Sequence, residues 1–174
     1  LPDVAQPHLE RLSGRVRESS SVSILDGSDI VYVGRVQVSR IMTVGITVGT
    51  RFPAYATSMG RVLLAGLDAW RLDEYFRTTA LTALAPTALS DEPALRAVID
   101  DAREDGWCMV DQELEPGLRS LAAPVRDGDG EVVAAINVST HAMRYTPEQL
   151  RTDFVPPLLE TAAAIGEDLL ALSR

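Results

Sequence analysis

The sequence predicts an α+β fold, in which a largely antiparallel sheet packs against helices. Its 174 residues give the pattern of one helix, three strands, a group of helices, further strands and a closing helix. Two turn motifs join consecutive strands, Asp26-Gly27-Ser28-Asp29 and Asp127-Gly128-Asp129-Gly130, and turns of this composition favour tight hairpins. Because hairpins pair neighbouring strands in antiparallel fashion and the helices are grouped, the order of elements favours α+β.

The first half of the chain begins with an amphipathic helix, since Leu9, Leu12 and Val16 recur at helical spacing within residues 4–19. Three strands are predicted to follow, of which the first two flank a turn and the third is rich in β-branched residues. They cover residues 21–25, 30–38 and 41–48.

Three helices are predicted between the two groups of strands, over residues 58–67, 68–76 and 90–104. Asp68 and Ser90 are the expected N-caps of the second and third helices, because their side chains can accept a bond from a free backbone N–H. Residues 78–89 are predicted to be irregular.

The last third of the chain predicts strands over residues 107–112, 118–126 and 131–140. A capping-box pattern that includes Thr146 and Gln149 begins the closing helix. Pro156 and Pro157 interrupt its helical period, so two helical pieces are expected.

Composition is that of a soluble globular domain, with 46% hydrophobic and 24% charged residues. The net charge of -9 argues against nucleic-acid binding by this chain, because phosphate binding needs a basic surface. The single cysteine, Cys108, fits a reducing cytoplasm, and no apolar run is long enough to span a membrane. The start at Leu1 without a methionine is expected of a fragment or a processed form.

Residues for catalysis or metal binding are scarce, so no catalytic residue, metal or cofactor is expected. His8 and His141 are the two histidines, and neither stands in a triad or metal-ligand pattern. Cys108 is read as a buried small hydrophobe. The acidic clusters at 100–101 and 111–115 fit a solvated face as well as paired-carboxylate chemistry.

A binding pocket for a small molecule fits the sequence better. The segment 56–60 is small-residue rich and opens a helix, with Thr57 or Ser58 as N-cap. A helix N-terminus presents free N–H groups that suit a carboxylate, although a tight helix entry packed on the core explains the segment too. Ser120, Asn137 and Ser139 would place polar groups in an apolar wall, where backbone, water or a ligand must satisfy them.

Three segments resemble the effector-binding domain of the IclR (isocitrate lyase regulator) family of bacterial transcription regulators. They are similar to the family in residue sequence, order and spacing. The first is most similar to the subgroup that controls protocatechuate and 4-hydroxybenzoate catabolism. The segments are Pro53-Ala54-Tyr55-Ala56-Thr57-Ser58-Met59-Gly60-Arg61-Val62-Leu63-Leu64-Ala65, Asp111-Gln112-Glu113-Leu114-Glu115-Pro116-Gly117-Leu118-Arg119-Ser120-Leu121-Ala122-Ala123-Pro124-Val125 and Ala134-Ala135-Ile136-Asn137-Val138-Ser139.

The resemblance implies a GAF-like fold, a curved antiparallel sheet flanked by helices, whose concave side holds the effector. It implies that residues 1–174 are a single effector-binding domain, and that a winged helix-turn-helix N-terminal to it, absent from this chain, binds DNA. It also implies a homodimer or homotetramer in the cytoplasm, with no membrane partner.

By the same resemblance, ten positions are expected to line the effector pocket. They are Ile41, Val44, Ser58, Met59, Val110, Asp111, Leu118, Ser120, Asn137 and Ser139. The residues at 58, 59, 110 and 137 differ from those of glyoxylate-responsive relatives, and a polarizable methionine suits contact with an aromatic ring. The expected effector is therefore a small aromatic acid such as protocatechuate or 4-hydroxybenzoate.

The expected roles follow from the chemistry of such an acid. Backbone N–H groups at Ser58 and Met59 would hold the carboxylate, and the polar side chains at 120, 137 and 139 would bond ring hydroxyls. Arg40, Arg61 and Arg119 are candidates to pair with the carboxylate, and Tyr55 could bond a hydroxyl or simply pack. Two other functions stay open, a sensory module in signalling without DNA and a small-molecule enzyme.

Overall fold

The computed structural model describes residues 1–38 and 45–173, which form a six-stranded antiparallel sheet with helices on both faces. The sheet is a curled half-barrel of the GAF-like, α+β class that the sequence predicted. The helices are α1 (Pro2–Val16), α2 (Ser58–Ala65), α3 (Ala69–Thr78), α4 (Glu92–Asp105), α5 (Pro147–Asp153) and α6 (Val155–Leu172). The strands are β1 (Ser19–Asp26), β2 (Asp29–Val36), β3 (Arg51–Pro53), β4 (Cys108–Asp111), β5 (Leu118–Arg126) and β6 (Val132–His141).

The strands lie in the order β3-β2-β1-β6-β5-β4, so the two hairpins meet at the β1–β6 pair in the middle of the sheet. Every pair is antiparallel. Side chains alternate between the two faces along each strand. Helices α2 and α4 cover one face, here called the α2 face, and α1 and α6 cover the other, the α6 face.

Each face has its own hydrophobic core. Leu9 and Leu12 of α1 and Leu158 of α6 form the core of the α6 face together with alternate residues of the sheet, such as Leu121 and Ile136. All eight residues of α2 are buried against the α2 face. The apolar side chains of the sequence thus fill two cores, and each buried leucine contributes about 1.5–3 kcal/mol to the free energy of folding.

Helix α2 begins where the sequence predicts. Thr57 is the N-cap, and its hydroxyl oxygen accepts a bond from the Gly60 N–H at 2.9 Å. A short 3-10 turn, Ala54–Ala56, precedes the cap. A side chain at Gly60 would overlap the backbone of Ala54, so glycine allows the turn and the helix to touch directly.

Most predicted elements are confirmed, but the second half of the predicted third strand is wrong. Of residues 41–48, the stretch 41–44 lies outside the described residues and 45–48 is not a strand. A turn explains this, because Thr50 N–H donates to Thr47 O at 3.0 Å and Gly49 has a left-handed φ of 94°. Within the described residues, the next strand after β2 is Arg51–Pro53, which pairs with β2.

Two helix boundaries also differ from the prediction. Asp91, not Ser90, caps α4, and its carboxylate accepts from the Ala94 N–H at 3.1 Å, where a negative charge also meets the positive end of the helix dipole. Helix α1 ends at Val16, since Arg17 adopts a left-handed φ of 58°. The expected break near Pro156 is confirmed, because α5 ends at Asp153 and the prolines lie in the first turn of α6, where they cost no hydrogen bond.

Replacement of Gly60 by alanine should lower the free energy of unfolding by about 3 kcal/mol or more, because α2 must move away from the Ala54 backbone. Gly14→Ala is the matched control. Gly14 lies in α1 with open space around it, so its replacement should raise stability by about 0.5–1 kcal/mol. Urea denaturation measures both, and a neutral Gly60→Ala would contradict the close contact.

Glu18 should make stability depend on pH. Its side chain is fully buried, beside Arg144 with Oε1 and Nη1 2.9 Å apart. Burial raises the pKa of the carboxyl above 4.5, and the Arg144 charge only partly opposes this. The folded state then binds more protons than the unfolded state, so the contribution of Glu18 to stability falls as pH rises from 4.5 through the raised pKa.

The Glu18→Gln variant removes this titration. Its stability relative to the unmodified chain should therefore rise with pH across the same interval and level off above it. Denaturation curves between about pH 4 and pH 8 measure the difference. A difference that stays constant over this range would show that Glu18 has the same pKa in both states.

Candidate functional site

A small cavity lies between the N-terminus of α2 and the α2 face of the sheet. Twelve described residues line it, and the larger share of them are apolar or small: Tyr32, Ile46, Ala56, Thr57, Ser58, Met59, Val110, Leu114, Leu118, Ser120, Asn137 and Ser139. Its volume is about 10 Å³, which is room for about one water molecule. The cavity is thus a narrow space between helix and sheet, with several polar side chains in its wall.

The polar side chains of this wall form two short bonded pairs. The hydroxyl oxygens of Ser58 and Ser120 lie 2.7 Å apart, and Asn137 Nδ2 donates to Ser139 Oγ at 3.2 Å. Asn137 is only 3% exposed, and within the described structure its Oδ1 atom has no hydrogen-bond partner. A buried amide oxygen without a donor is costly, so this wall is suited to a ligand that brings one.

Ser58 and Met59, the first two residues of α2, line the same cavity. Within the helix entry, Gly60 N–H donates to the Thr57 hydroxyl and Arg61 N–H to the Thr57 carbonyl. Ser58 and Met59 are the two residues before these, where backbone N–H groups have no acceptor inside the helix. Met59 also contacts the sheet, since Ser23 Oγ lies 3.2 Å from its sulfur. The N-terminus of α2 can therefore present two amides and a soft apolar side chain to a ligand.

A buried ion pair holds α2 in this position. Arg61 is 1% exposed. Its Nη1 donates to Glu113 Oε2 and its Nη2 donates to Glu113 Oε1, each at 2.8 Å. Arg61 Nε donates to the carbonyl of Tyr55 at 2.9 Å, and Glu113 Oε1 accepts from the Leu89 N–H at 2.8 Å. Arg61 is thus fully engaged in the framework, and its guanidinium is not available to a ligand.

Arg119 and Asp111 lie on the other face of the sheet. Arg119 Nε donates to Asp111 Oδ1 at 2.9 Å, and Arg119 Nη1 donates to the carbonyl of Tyr145 at 2.7 Å. Asp111 was expected in the pocket wall, but strand alternation turns it away from Val110, which does line the cavity. Ile41, Val44 and Arg40 lie outside the described residues.

Of the ten expected pocket positions, the structure brings seven together: Ser58, Met59, Val110, Leu118, Ser120, Asn137 and Ser139. Tyr55 does not line the cavity. Its hydroxyl donates to the Thr82 carbonyl at 3.0 Å, so it is already bonded within the protein. Sequence reasoning missed five lining residues, namely Tyr32, Ile46, Ala56, Thr57 and Leu114. Tyr32 could have been found from its period-two relation to Ile30 on β2.

The described residues offer little for acid–base or metal chemistry at the cavity. Tyr32 is the one titratable side chain among its described lining residues, and burial raises the pKa of Tyr32 to about 12. Burial likewise raises the pKa of the Cys108 thiol to about 11, so both stay protonated at neutral pH. Across residues 1–38 and 45–173, no group of three or more His, Cys, Asp or Glu side chains could hold a metal ion. The same residues include no helix that is both long and apolar enough to cross a bilayer.

Glu113→Gln should lower the free energy of unfolding by about 3–5 kcal/mol, because it leaves the buried Arg61 guanidinium without a counter-charge. Glu74→Gln is the matched control, since Glu74 pairs with Arg77 on the surface of α3 and should change stability by at most about 0.5 kcal/mol. Urea denaturation, which adds no salt, measures the free energy of unfolding of both variants. Equal losses in the two variants would show that the buried pair has no special role.

The bacterial transcriptional regulator IclR C-terminal family matches residues 1–167. The Pca regulon regulatory protein of Pseudomonas putida is 47% identical over 166 residues, which cover 95% of this chain and 57% of that protein. The chain spans 57–62% of the length of the first three curated relatives that it matches.

Solved structures agree with this match. The crystal structure of RHA06195 from Rhodococcus sp. RHA1 is 58% identical, with a TM-score of 0.96 over 99% of this chain and 70% of that chain. A double mutant of the inducer-binding domain of the transcription factor PobR from Acinetobacter, in complex with 3-hydroxybenzoic acid, is 32% identical. Its TM-score is 0.88, over 99% of this chain and 98% of that chain. The chain therefore belongs to the IclR family of bacterial transcriptional regulators, as a C-terminal effector-binding domain.

Proposed function

We propose that this chain is the ligand-sensing and oligomerisation domain of an IclR-type transcription regulator whose effector is a small aromatic acid of the protocatechuate or 4-hydroxybenzoate type. The observation that carries the proposal is the cluster of Ser58, Ser120, Asn137 and Ser139 in an otherwise apolar cavity at a helix N-terminus. An apolar wall with a few convergent polar groups is the usual character of a small-molecule site.

The similar proteins support an aromatic acid. The relative from Pseudomonas putida is a regulator of the Pca regulon, and the PobR inducer-binding domain was solved with 3-hydroxybenzoic acid. Met59 and Leu118 supply apolar surface for a ring in this chain. Methionine is flexible and polarizable, so it can adapt to an aromatic face.

The ligand would lie with its carboxylate at the amides of Ser58 and Met59 and its ring hydroxyls toward Ser120, Asn137 and Ser139. The partial positive charge of the helix N-terminus favours the carboxylate at that end. The unpartnered Asn137 Oδ1 accepts hydrogen bonds only, so a ring hydroxyl suits it better than a carboxylate. We also propose that Ile41 and Val44 contribute to the wall and that Asp111 does not.

The function is binding rather than catalysis in this proposal. The described wall lacks an acid, base or nucleophile that titrates near neutral pH, since Tyr32 is held protonated. A bound acid would then act only through its different affinities for two arrangements of the subunits.

The rest of the regulator follows from the family. We propose that the chain is a single effector-binding domain, that it forms dimers or tetramers in the cytoplasm, and that an N-terminal winged helix-turn-helix contacts DNA in the full-length protein. The acidic charge of -9 suits this division, since phosphate contacts would be left to the other domain.

Thermal unfolding with a panel of acids tests the proposal. The panel is protocatechuate, 4-hydroxybenzoate, benzoate, β-ketoadipate, glyoxylate and pyruvate. A ligand at about 100 times its Kd adds about 2.7 kcal/mol of stability, which should raise the Tm by roughly 5–10 °C for a chain of this size. We expect this rise with a hydroxylated aromatic acid.

Variants of the wall serve to locate the binding. Ser120→Ala and Asn137→Ala should reduce the rise in Tm, whereas Ser173→Ala, at an exposed serine near the C-terminus, should leave it intact. A rise only with glyoxylate or pyruvate would contradict an aromatic effector. No rise with any acid at saturating concentration would contradict the whole proposal.

A further inference from the structure

Two buried polar atoms without hydrogen-bond partners lie on the α2 face of the sheet. In the described structure, these are Asn137 Oδ1 on β6 and Arg35 Nε on β2. One atom can only accept a hydrogen bond and the other can only donate one. Each is costly to bury alone, so a single group that offers both a donor and an acceptor would remove two penalties together.

A β-bulge brings Arg35 to this face. Along the β1–β2 pair, Val22 lies opposite Gly34 while Ser23 lies opposite Tyr32, so Val33 is an extra residue. Without it, Tyr32 and Arg35 would point to opposite faces, because they are three positions apart. With it, both side chains share the α2 face, and Tyr32 lines the cavity.

The two atoms belong to one row across three strands. Ser21 of β1 pairs with Arg35 of β2 on one side and with Asn137 of β6 on the other. Arg35 Nη1 donates to Ser21 Oγ at 2.9 Å, so the guanidinium bends over the strand that separates it from Asn137. Strands β2 and β6 lie two strand spacings apart, about 10 Å. The long Arg35 side chain covers part of this distance by extending over β1 to Ser21, so a ligand oxygen above β1 would lie between Arg35 and Asn137.

Arg35 is half-buried, and among the described residues it has no ion pair with a carboxylate, unlike the buried Arg61 and Arg119. Arg61 pairs with Glu113 and Arg119 with Asp111, whereas the described contact of Arg35 is the Ser21 hydroxyl. Burial lowers the pKa of the Arg35 guanidinium, and the nearby Tyr32 only partly offsets this. An oxygen that carries partial negative charge is the natural acceptor for such a group.

We propose that Arg35 and Asn137 together recognise a ring hydroxyl of the effector, so that the domain selects hydroxylated aromatic acids over unsubstituted ones. The hydroxyl oxygen accepts from Arg35 Nε–H, and its hydrogen is donated to Asn137 Oδ1. A phenolic hydroxyl is a stronger donor than an aliphatic one and meets both needs. This inference rests on the proposed function, and it adds to it a residue, Arg35, and a basis for selectivity.

Calorimetric titration of the chain with matched acids tests the pair. The probes are benzoate, 3-hydroxybenzoate, 4-hydroxybenzoate and protocatechuate, and the quantity of interest is the Kd of benzoate divided by that of the tightest hydroxylated acid. We expect this ratio to be at least about 10 in the unmodified chain. It should fall to about 1–3 in Arg35→Lys, which keeps the charge but loses the Nε donor, and in Asn137→Ala.

Benzoate is the internal control, because it makes no hydroxyl contact. Its Kd should change less than about threefold in both variants, which also shows that they are folded. Arg71→Lys, at an exposed arginine of α3, should leave all four Kd values unchanged. In the double variant the ratio should fall no further than in either single variant, because the two side chains act on one hydroxyl.

The two hypotheses fail in different ways. Tight binding of hydroxylated acids with an unchanged ratio in Arg35→Lys would overturn this inference and leave the proposed function in place. An equal loss for benzoate and the hydroxylated acids would also overturn it, because Arg35 would then act as a general charge. If the unmodified chain binds none of the four acids, the proposed function fails and this inference fails with it.

Discussion

The position of α2 depends on the buried pair between Arg61 and Glu113. The carboxylate accepts two bonds from the guanidinium and one from the Leu89 backbone, and Arg61 also binds the Tyr55 carbonyl. This ion pair thus connects α2 through hydrogen bonds to three other segments, namely the turn before it, the segment before α4 and the connection after β4. Because the charges of Arg61 and Glu113 cancel, the pair holds the N-terminus of α2 in place without adding net charge beside the cavity.

The two faces of the sheet have different compositions because they serve different purposes. β1 shows this within a few residues, since Val22 packs into the core of the α6 face while Ser21 and Ser23 face α2. The α6 face gains stability from extensive apolar packing against two helices. The α2 face gives up part of that gain to hold hydroxyl and amide groups, which are useful only if a partner satisfies them.

The sequence predicted most of the fold because hairpin turns, caps and helical periods are local signals. It failed where a local signal was overridden, as at residues 45–48, where a turn at Gly49 returns the chain to β2. In the site, strict alternation correctly placed Ser120, Asn137 and Ser139 on one face. The same rule would place Tyr32 and Arg35 on opposite faces of the sheet, because no sequence pattern indicates that Val33 forms a bulge. The ion pair between Arg61 and Glu113 could not be predicted from local sequence patterns either, because the two residues are 52 positions apart.

The small size of the cavity has a consequence for how the domain would respond to metabolite levels. A volume of about 10 Å³ is far below the roughly 150 Å³ that accommodates benzene in an engineered cavity. An aromatic ligand at this site would bind a wider conformation, and the free energy of that opening would be subtracted from the free energy of the contacts that the ligand makes. The apparent affinity is weakened by the rarity of the open form. The packing of the closed form thus sets the concentration threshold of the response, and core substitutions far from any ligand contact could retune it.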